Sequence, residues 1–179
     1  MGIFDRIKKT AEKFKPQYTL EELRERAKYR LSVKDYETAA EYLQQAADMG
    51  DAESQYKLAE LCYDAKSELL SEKEVVSMYE KAAGQGHLKA QLKLANLYHY
   101  DYCDLEGSYP QAIYWCTKAV EQGSTIAMRE LGDIYFELDD NDQALIWYQR
   151  AFDAGDMGAQ DDIDMILNGD FDDDEDEDE

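Results

Sequence analysis

Proline is nearly absent: Pro16 and Pro110 are the only two in 179 residues. Glycine is modest at ten, while Ala, Leu, Glu, Lys and Gln are plentiful, so little breaks a helix and much builds one. Histidine is equally scarce. His99 lies near Asp101, Cys103 and Asp104, but that spacing matches no zinc pattern, and His87 stands alone. The expectation is no metal and no cofactor. Cys62, Cys103 and Cys116 are odd in number and form no short-spaced pair, which reads as free thiols in a reducing compartment. No apolar run approaches the ~18 residues that a membrane span requires. The opening MGIFDRIKK lacks the apolar core of a secretory signal. A cytoplasmic protein is expected.

Positive charge is the other shortage. Lys and Arg number 19 against 41 Asp and Glu, for a net charge of −22. The imbalance is uneven: residues 1–34 hold ten basic residues against five acidic, whereas residues 133–179 hold Arg150 against nineteen acids. Such a surface repels DNA and RNA, whose binding needs Lys and Arg to replace phosphate counterions. It attracts proteins with a basic surface. Missing too are a phosphate-binding loop, a G-x-S-x-G elbow, an H-E-x-x-H helix and a calcium loop. The chain reads as a non-enzyme, with an enzyme of unknown type the weakest alternative.

What is present is a repeat. Gly50, Gly86, Gly123 and Gly155 end the phrases AADMG, AAGQG, AVEQG and AFDAG, 36, 37 and 32 residues apart. Four residues before each stand Ala46, Ala82, Ala119 and Ala151; eleven before stand Ala39, Val75, Ala112 and Ala144. Eight before stand Tyr42, Met78, Trp115 and Trp147, and both tryptophans read as core. These separations put small and bulky residues on one helical face, and the glycine supplies the left-handed turn that ends the helix. After each glycine the pattern resumes. Ser54, Ala90, Ala127 and Ala159 lie four on; Leu58, Leu94, Leu131 and Ile163 lie eight on. Ala59, Ala95 and Gly132 lie nine on, with Asp164 breaking the column, and Cys62, Tyr98, Tyr135 and Leu167 lie twelve on. One helix pair cannot bury such a face alone, but several stacked pairs can.

The phrase A-x3-L-[GA]-x2-Y, seen as Ala127–Leu131–Gly132–Tyr135, leads into Ala144–Trp147–Tyr148–Ala151–Gly155. Together they resemble the Sel-one-like repeat (SLR) family, a relative of the tetratricopeptide repeat. The first unit, KDYETAAEYLQQAA with Ala27 before it, is similar to the tetratricopeptide form. The resemblance implies an all-α solenoid of antiparallel helix pairs in a right-handed superhelix. It covers residues 19–168, as pairs 19–50, 51–86, 87–123 and 124–155 and a capping helix 156–168. Asp161, Asp162 and Asp164 on that last helix put a fourth complete stacking interface in question. Thr19 with Glu22 and Ser71 with Glu74 read as capping boxes, and Pro110 as a helix start. The 98–108 stretch reads as the longest connection.

The resemblance also implies a partner groove lined by the first helix of each pair. Carried over, it falls on Arg24, Lys28, Tyr56, Glu60, Tyr63, Asn96, His99, Tyr100, Arg129, Asp133 and Phe136. Rings among carboxylates and amides suit an extended or helical peptide. The expected function is a protein-interaction adaptor. The alternative, since some members of the family are inhibitors, is an acidic immunity protein that plugs a basic, nuclease-like toxin.

Both ends differ from the repeats. Residues 1–18 carry Ile3, Phe4, Ile7, Ala11 and Phe14 on one helical stripe, with Lys8, Lys9, Lys13 and Lys15 elsewhere. A helix capping the first repeat is the plainer reading, and contact of residues 3–15 with a membrane surface the other. Residues 169–179 contain Asp170, Asp172, Asp173, Asp174, Glu175, Asp176, Glu177, Asp178 and Glu179, with Phe171 as their one large apolar residue. Self-repulsion and the lack of apolar area predict a disordered acidic tail, either solubilising or a lure for basic partners.

Overall fold

The computed structural model describes residues 18–64, 70–100 and 108–168, and every regular element among them is an α-helix. The expected N-terminal helix and acidic tail, Cys103, and the centre of the 98–108 connection lie outside the described residues. Contacts divide the chain into two compact units, 1–107 and 108–179. The first holds α1 (Leu20–Ser32), α2 (Tyr36–Asp48), α3 (Ala52–Asp64), α4 (Glu72–Gly84) and α5 (Leu88–His99). The second holds α6 (Tyr109–Val120), α7 (Thr125–Glu137), α8 (Asn141–Asp153) and α9 (Ala159–Asn168). Within each unit every helix packs against the next in sequence, and short turns make such neighbours antiparallel.

The helix ends follow local chemistry. The Thr19 amide donates to Glu22 Oε2 (2.7 Å) and the Glu22 amide to Thr19 Oγ1 (3.3 Å); Ser71 and Glu74 repeat the exchange at 3.1 and 3.4 Å. Pro110 stands in the first turn of α6, where an amide hydrogen has no intrahelical partner to lose. All four repeat glycines sit at φ between +83° and +102°, the left-handed turn their position demanded. The α1–α2 and α7–α8 turns reach the same region with Lys34 (φ 59°) and Asp139 (φ 58°). No glycine marks those turns in the sequence. Tyr98 and His99, read as part of a connection, are helical and close α5, because the pattern of turn residues begins only after them.

The small columns are buried as expected. Ala46, Ala82, Ala119 and Ala151 show no exposure, and Leu58, Leu94, Leu131 and Ile163 are buried with them. The bulky column needs correction. Tyr42, Met78, Trp115 and Trp147 are only half-buried, so neither tryptophan is core. The core takes the next residue instead: Leu43, Tyr79, Cys116 and Tyr148. Both positions lie within one turn of the alanine stripe, so the crossing of neighbouring helices decides which turns inward. Trp147 lies beneath the Arg150 guanidinium at 4.6 Å from the ring centroid, and Trp115 meets Tyr114 edge-on at 4.9 Å. Twelve residues past the glycine only Cys62 is buried; Tyr98 and Tyr135 are half-buried and Leu167 is exposed. The aspartates of α9 do not prevent its packing. Ala159 and Ile163 join Ala144, Tyr148 and Ala151 of α8, while Asp161 and Asp164 face outward.

Candidate partner-binding surface

In the first unit, α1 and α3 frame a cleft of about 360 Å³. Arg24, Lys28 and Leu31 form one wall, Glu53, Ser54 and Lys57 the other, and Ala27 and Leu43 the floor. A second cleft of about 540 Å³ shares Leu31 and Lys57 with the first, and Tyr36, Tyr56, Glu60, Leu61, Asp64 and Lys89 complete it. The shared residues make the two continuous along the first helices. Four of the expected residues, Arg24, Lys28, Tyr56 and Glu60, line this surface. Leu31, Lys57, Leu61 and Lys89 line it too, and the sequence reading missed them. Of these, Lys57 had a local signal, since it lies one turn after Glu53 and pairs with it at 2.8 Å.

Several expected residues are held by the protein itself. Arg24 grips Asp51 through Nε (3.1 Å to Oδ2) and Nη2. Asp51 is buried, and it also accepts from the Ser54 amide (3.0 Å) and hydroxyl at the start of α3. Burial pushes the Asp51 carboxyl up, but the hydrogen bonds from Arg24 and Ser54 outweigh it and hold the pKa below the ordinary value. Arg24 is therefore a strut between α1 and α3 as well as cleft wall.

Glu60 is a hub. The Tyr79 hydroxyl of α4 donates to its Oε1 at 2.6 Å, and Lys93 Nζ of α5 lies 3.5 Å away. Lys93 also sits 3.9 Å from the Tyr63 ring centroid, which places that expected residue. Burial and then Glu60 push the Tyr79 hydroxyl far above its usual range, so it stays a donor. Tyr56 stacks on His87 with ring centroids 4.7 Å apart. His87 Nδ1 accepts from the Ala90 amide (3.2 Å), so Nε2 carries the proton and donates to Glu53 at 2.9 Å. At the end of α5, His99 is buried and stacks on exposed Tyr100 (4.4 Å), and Asn96 is exposed. None of these three lines the clefts.

In the second unit Asp133 accepts from the Tyr148 hydroxyl at 2.8 Å, the register equivalent of Glu60 and Tyr79. Arg129 approaches Asp156 at 3.6 Å, and half-buried Phe136 packs against the α8–α9 core. The expected trio of this unit thus has internal partners. Among the described residues no group of three or more His, Cys, Asp or Glu could hold a metal, and no helix is long and apolar enough to cross a membrane.

Comparison with known proteins matches this arrangement. The Sel1 repeat family matches residues 88–124 and 125–156, and a tetratricopeptide repeat family matches residues 24–87. The chain carries Sel1 and tetratricopeptide repeats. Two solved structures share the fold. One is c5321, a protective antigen present in uropathogenic Escherichia coli strains that displays an SLR fold: TM-score 0.63, 29% identity, 73% of this chain and 29% of that one. The other is a Sel1 repeat protein from Oxalobacter formigenes: TM-score 0.61, 26% identity, 73% of this chain and 54% of that one. The fold class is the all-α SLR solenoid. The chitin synthase regulator SKT5 of Malassezia restricta is 31% identical over 169 residues, but the match spans 11% of that regulator's length. Sel1 and tetratricopeptide repeats indicate a scaffold for protein interaction.

Proposed function

We propose that this repeat protein is a non-catalytic adaptor that takes an extended or helical peptide of a partner protein along α1 and α3. The observation that carries the reading is the continuous cleft of the first unit, with Leu31, Leu43 and Leu61 inside and Lys28, Lys57, Glu60 and Asp64 at its edges. Apolar floor with charges of both signs at the rim suits side chains inserted from a peptide whose backbone and polar groups stay near water. The regulator of Malassezia restricta is named for control of another protein, in keeping with a binding role. Buried, unpaired Cys62 and Cys116 suit a reducing cytoplasm.

Selection of peptides from a display library on the full chain tests this. Selected peptides are expected to lose at least about tenfold in affinity, or 1.4 kcal/mol, on the double substitution Leu31→Glu, Lys57→Glu. They should bind nearly as well after removal of residues 169–179. Peptides indifferent to the cleft substitutions would refute the placement.

One observation favours a second reading, the acidic inhibitor: described residues of the second unit carry three basic side chains against twelve acidic. That reading calls for binding to a cationic nuclease at about nanomolar strength, collapsing as salt screens the charges. Affinity that survives high salt speaks for the adaptor.

A further inference from the structure

The outward face of α8 differs from its counterparts in the first unit. Ala144, Tyr148 and Ala151 turn inward among residues of α7 and α9. Asp142, Ile146 and Arg150 form one i, i+4 row on the opposite side of the helix. Ile146 is 45% exposed, and Asp142 and Arg150 are exposed on either side of it. Ile146 stands nine residues before its glycine. The same place holds Glu41 and Ser77 in the first unit, but Tyr114, also exposed, on α6. An exposed apolar residue in this column is therefore confined to the second unit.

The two charges of this row lack counter-charges. Of the basic side chains described in the second unit, Lys118 meets Glu121 at 2.9 Å and Arg129 approaches Asp156 at 3.6 Å. Arg150 meets no carboxylate among the described residues; its guanidinium lies over Trp147. The nearer acid, Asp153, accepts from Gln149 at 2.9 Å. Asp142 meets no cation among the described residues. The two cannot pair with each other, because eight residues of helix hold them about 12 Å apart.

A second copy supplies both partners at once. Rows of i, i+4 residues on two helices interlock at a crossing angle of about −50°. With a two-fold axis beside Ile146, the two rows run antiparallel. Ile146 then packs on the partner's Ile146, Arg150 reaches the partner's Asp142, and Asp142 the partner's Arg150. Such a contact is isologous, so each pair occurs twice. Moving the axis one turn along α8 would set Arg150 on Arg150 or Asp142 on Asp142, so charge selects the register. Trp147 and Arg150, side by side, are of the residue types that anchor interfaces.

We propose that the row Asp142–Ile146–Arg150 of α8 is a self-complementary contact through which two copies of this chain associate. The dimer is a weak one. The net charge of −22 on each copy opposes it, and a face centred on one helix falls short of the roughly 1,200 Å² that stable interfaces bury. The inference concerns the second unit alone and is independent of what the first-unit cleft binds.

The test is sedimentation equilibrium of the full chain at about 0.15 M salt, where charges more than about 8 Å apart are screened. A monomer–dimer equilibrium is expected between about 10 μM and 1 mM. Arg150→Asp sets like charges together twice and should weaken it at least about tenfold. Adding Asp142→Arg exchanges the two signs and should bring the constant back to within about threefold. Both residues are exposed, so circular dichroism should stay unchanged in each variant. In a Cys103→Ser background, Ile146→Cys is expected to form a disulfide between copies, and to lose it when Arg150→Asp is added. A chain monomeric up to about 1 mM, association indifferent to Arg150→Asp, a double variant that stays apart, or no disulfide at position 146 would each overturn the proposal.

Discussion

Replacing Gly132 by alanine sets two effects against each other. Inside an exposed helix the change stabilises by about 1 kcal/mol, because alanine loses less backbone freedom on folding. Gly132 is buried within α7, and a Cβ there would lie 2.5 Å from both Cδ1 and Cε1 of Tyr148 and 2.9 Å from Cζ. The ring has nowhere easy to go. It is buried among Ala144, Ala151 and Ile163, and its hydroxyl is tied to Asp133 at 2.8 Å. Overpacking of this kind costs about 1–3 kcal/mol, and a ring that moves aside strains a hydrogen bond to a carboxylate worth about 1.5–3 kcal/mol. The clash wins. Gly132→Ala is expected to lower stability by about 1–3 kcal/mol, read as a lower urea midpoint by Trp fluorescence and circular dichroism at unchanged slope. At about 2–4 °C per kcal/mol for a chain of this size, the melting temperature should fall by several degrees. A double-mutant cycle with Tyr148→Leu should show coupling, since the smaller side chain makes room. A neutral or stabilising Gly132→Ala would refute the reasoning. It would mean that α7 and α8 relax to the spacing of α3 and α4, where Ala59 holds the register of Gly132 and Tyr79 that of Tyr148.

Three other outcomes follow from the internal partners. Arg24→Met leaves Asp51 buried without its cation and should cost about 1–3 kcal/mol at neutral pH, measured by urea unfolding. Because the folded pKa of Asp51 lies below its ordinary value, the stability it contributes is present above about pH 3.9 and is lost as pH falls through the lowered pKa; Arg24→Met should flatten that acid limb. Tyr79→Phe removes the donor to Glu60 and should cost about 1–2 kcal/mol; in the parent chain the Tyr79 and Tyr148 hydroxyls, pushed up by burial and then by Glu60 and Asp133, should show no phenolate absorbance on alkaline titration until unfolding. Burial and then Glu74 raise the Cys62 thiol to about 11, and burial and then Glu130 push Cys116 higher; peptide mapping after iodoacetamide treatment should find both unmodified in the native state and alkylated in urea, and native labelling of either would contradict their burial.

Part of the candidate surface was legible: of the eleven residues expected, four line the clefts. The family resemblance put Tyr56 and Glu60 on the first helix after Gly50 and Arg24 and Lys28 at the matching places of the first pair, and these four line the clefts. Asp133 and Arg129 were found in the same way, but their partners Tyr148 and Asp156 lie elsewhere along the chain, so nothing local showed that they were engaged. Leu31 and Lys89 were missed for a similar reason. Each enters the cleft because helices distant in sequence flank it, and neither stands out within its own helix.

Residue order alone determined the helices, their caps and their small faces, because these depend on neighbours within one or two turns: Thr19 with Glu22, Gly86 after Ala82, Leu131 beside Gly132. Helix packing decided the rest. Whether Trp147 or Tyr148 enters the core, and whether Asp51 meets a cation, depends on the angle and distance between helices, and periodicity within one helix does not encode either quantity.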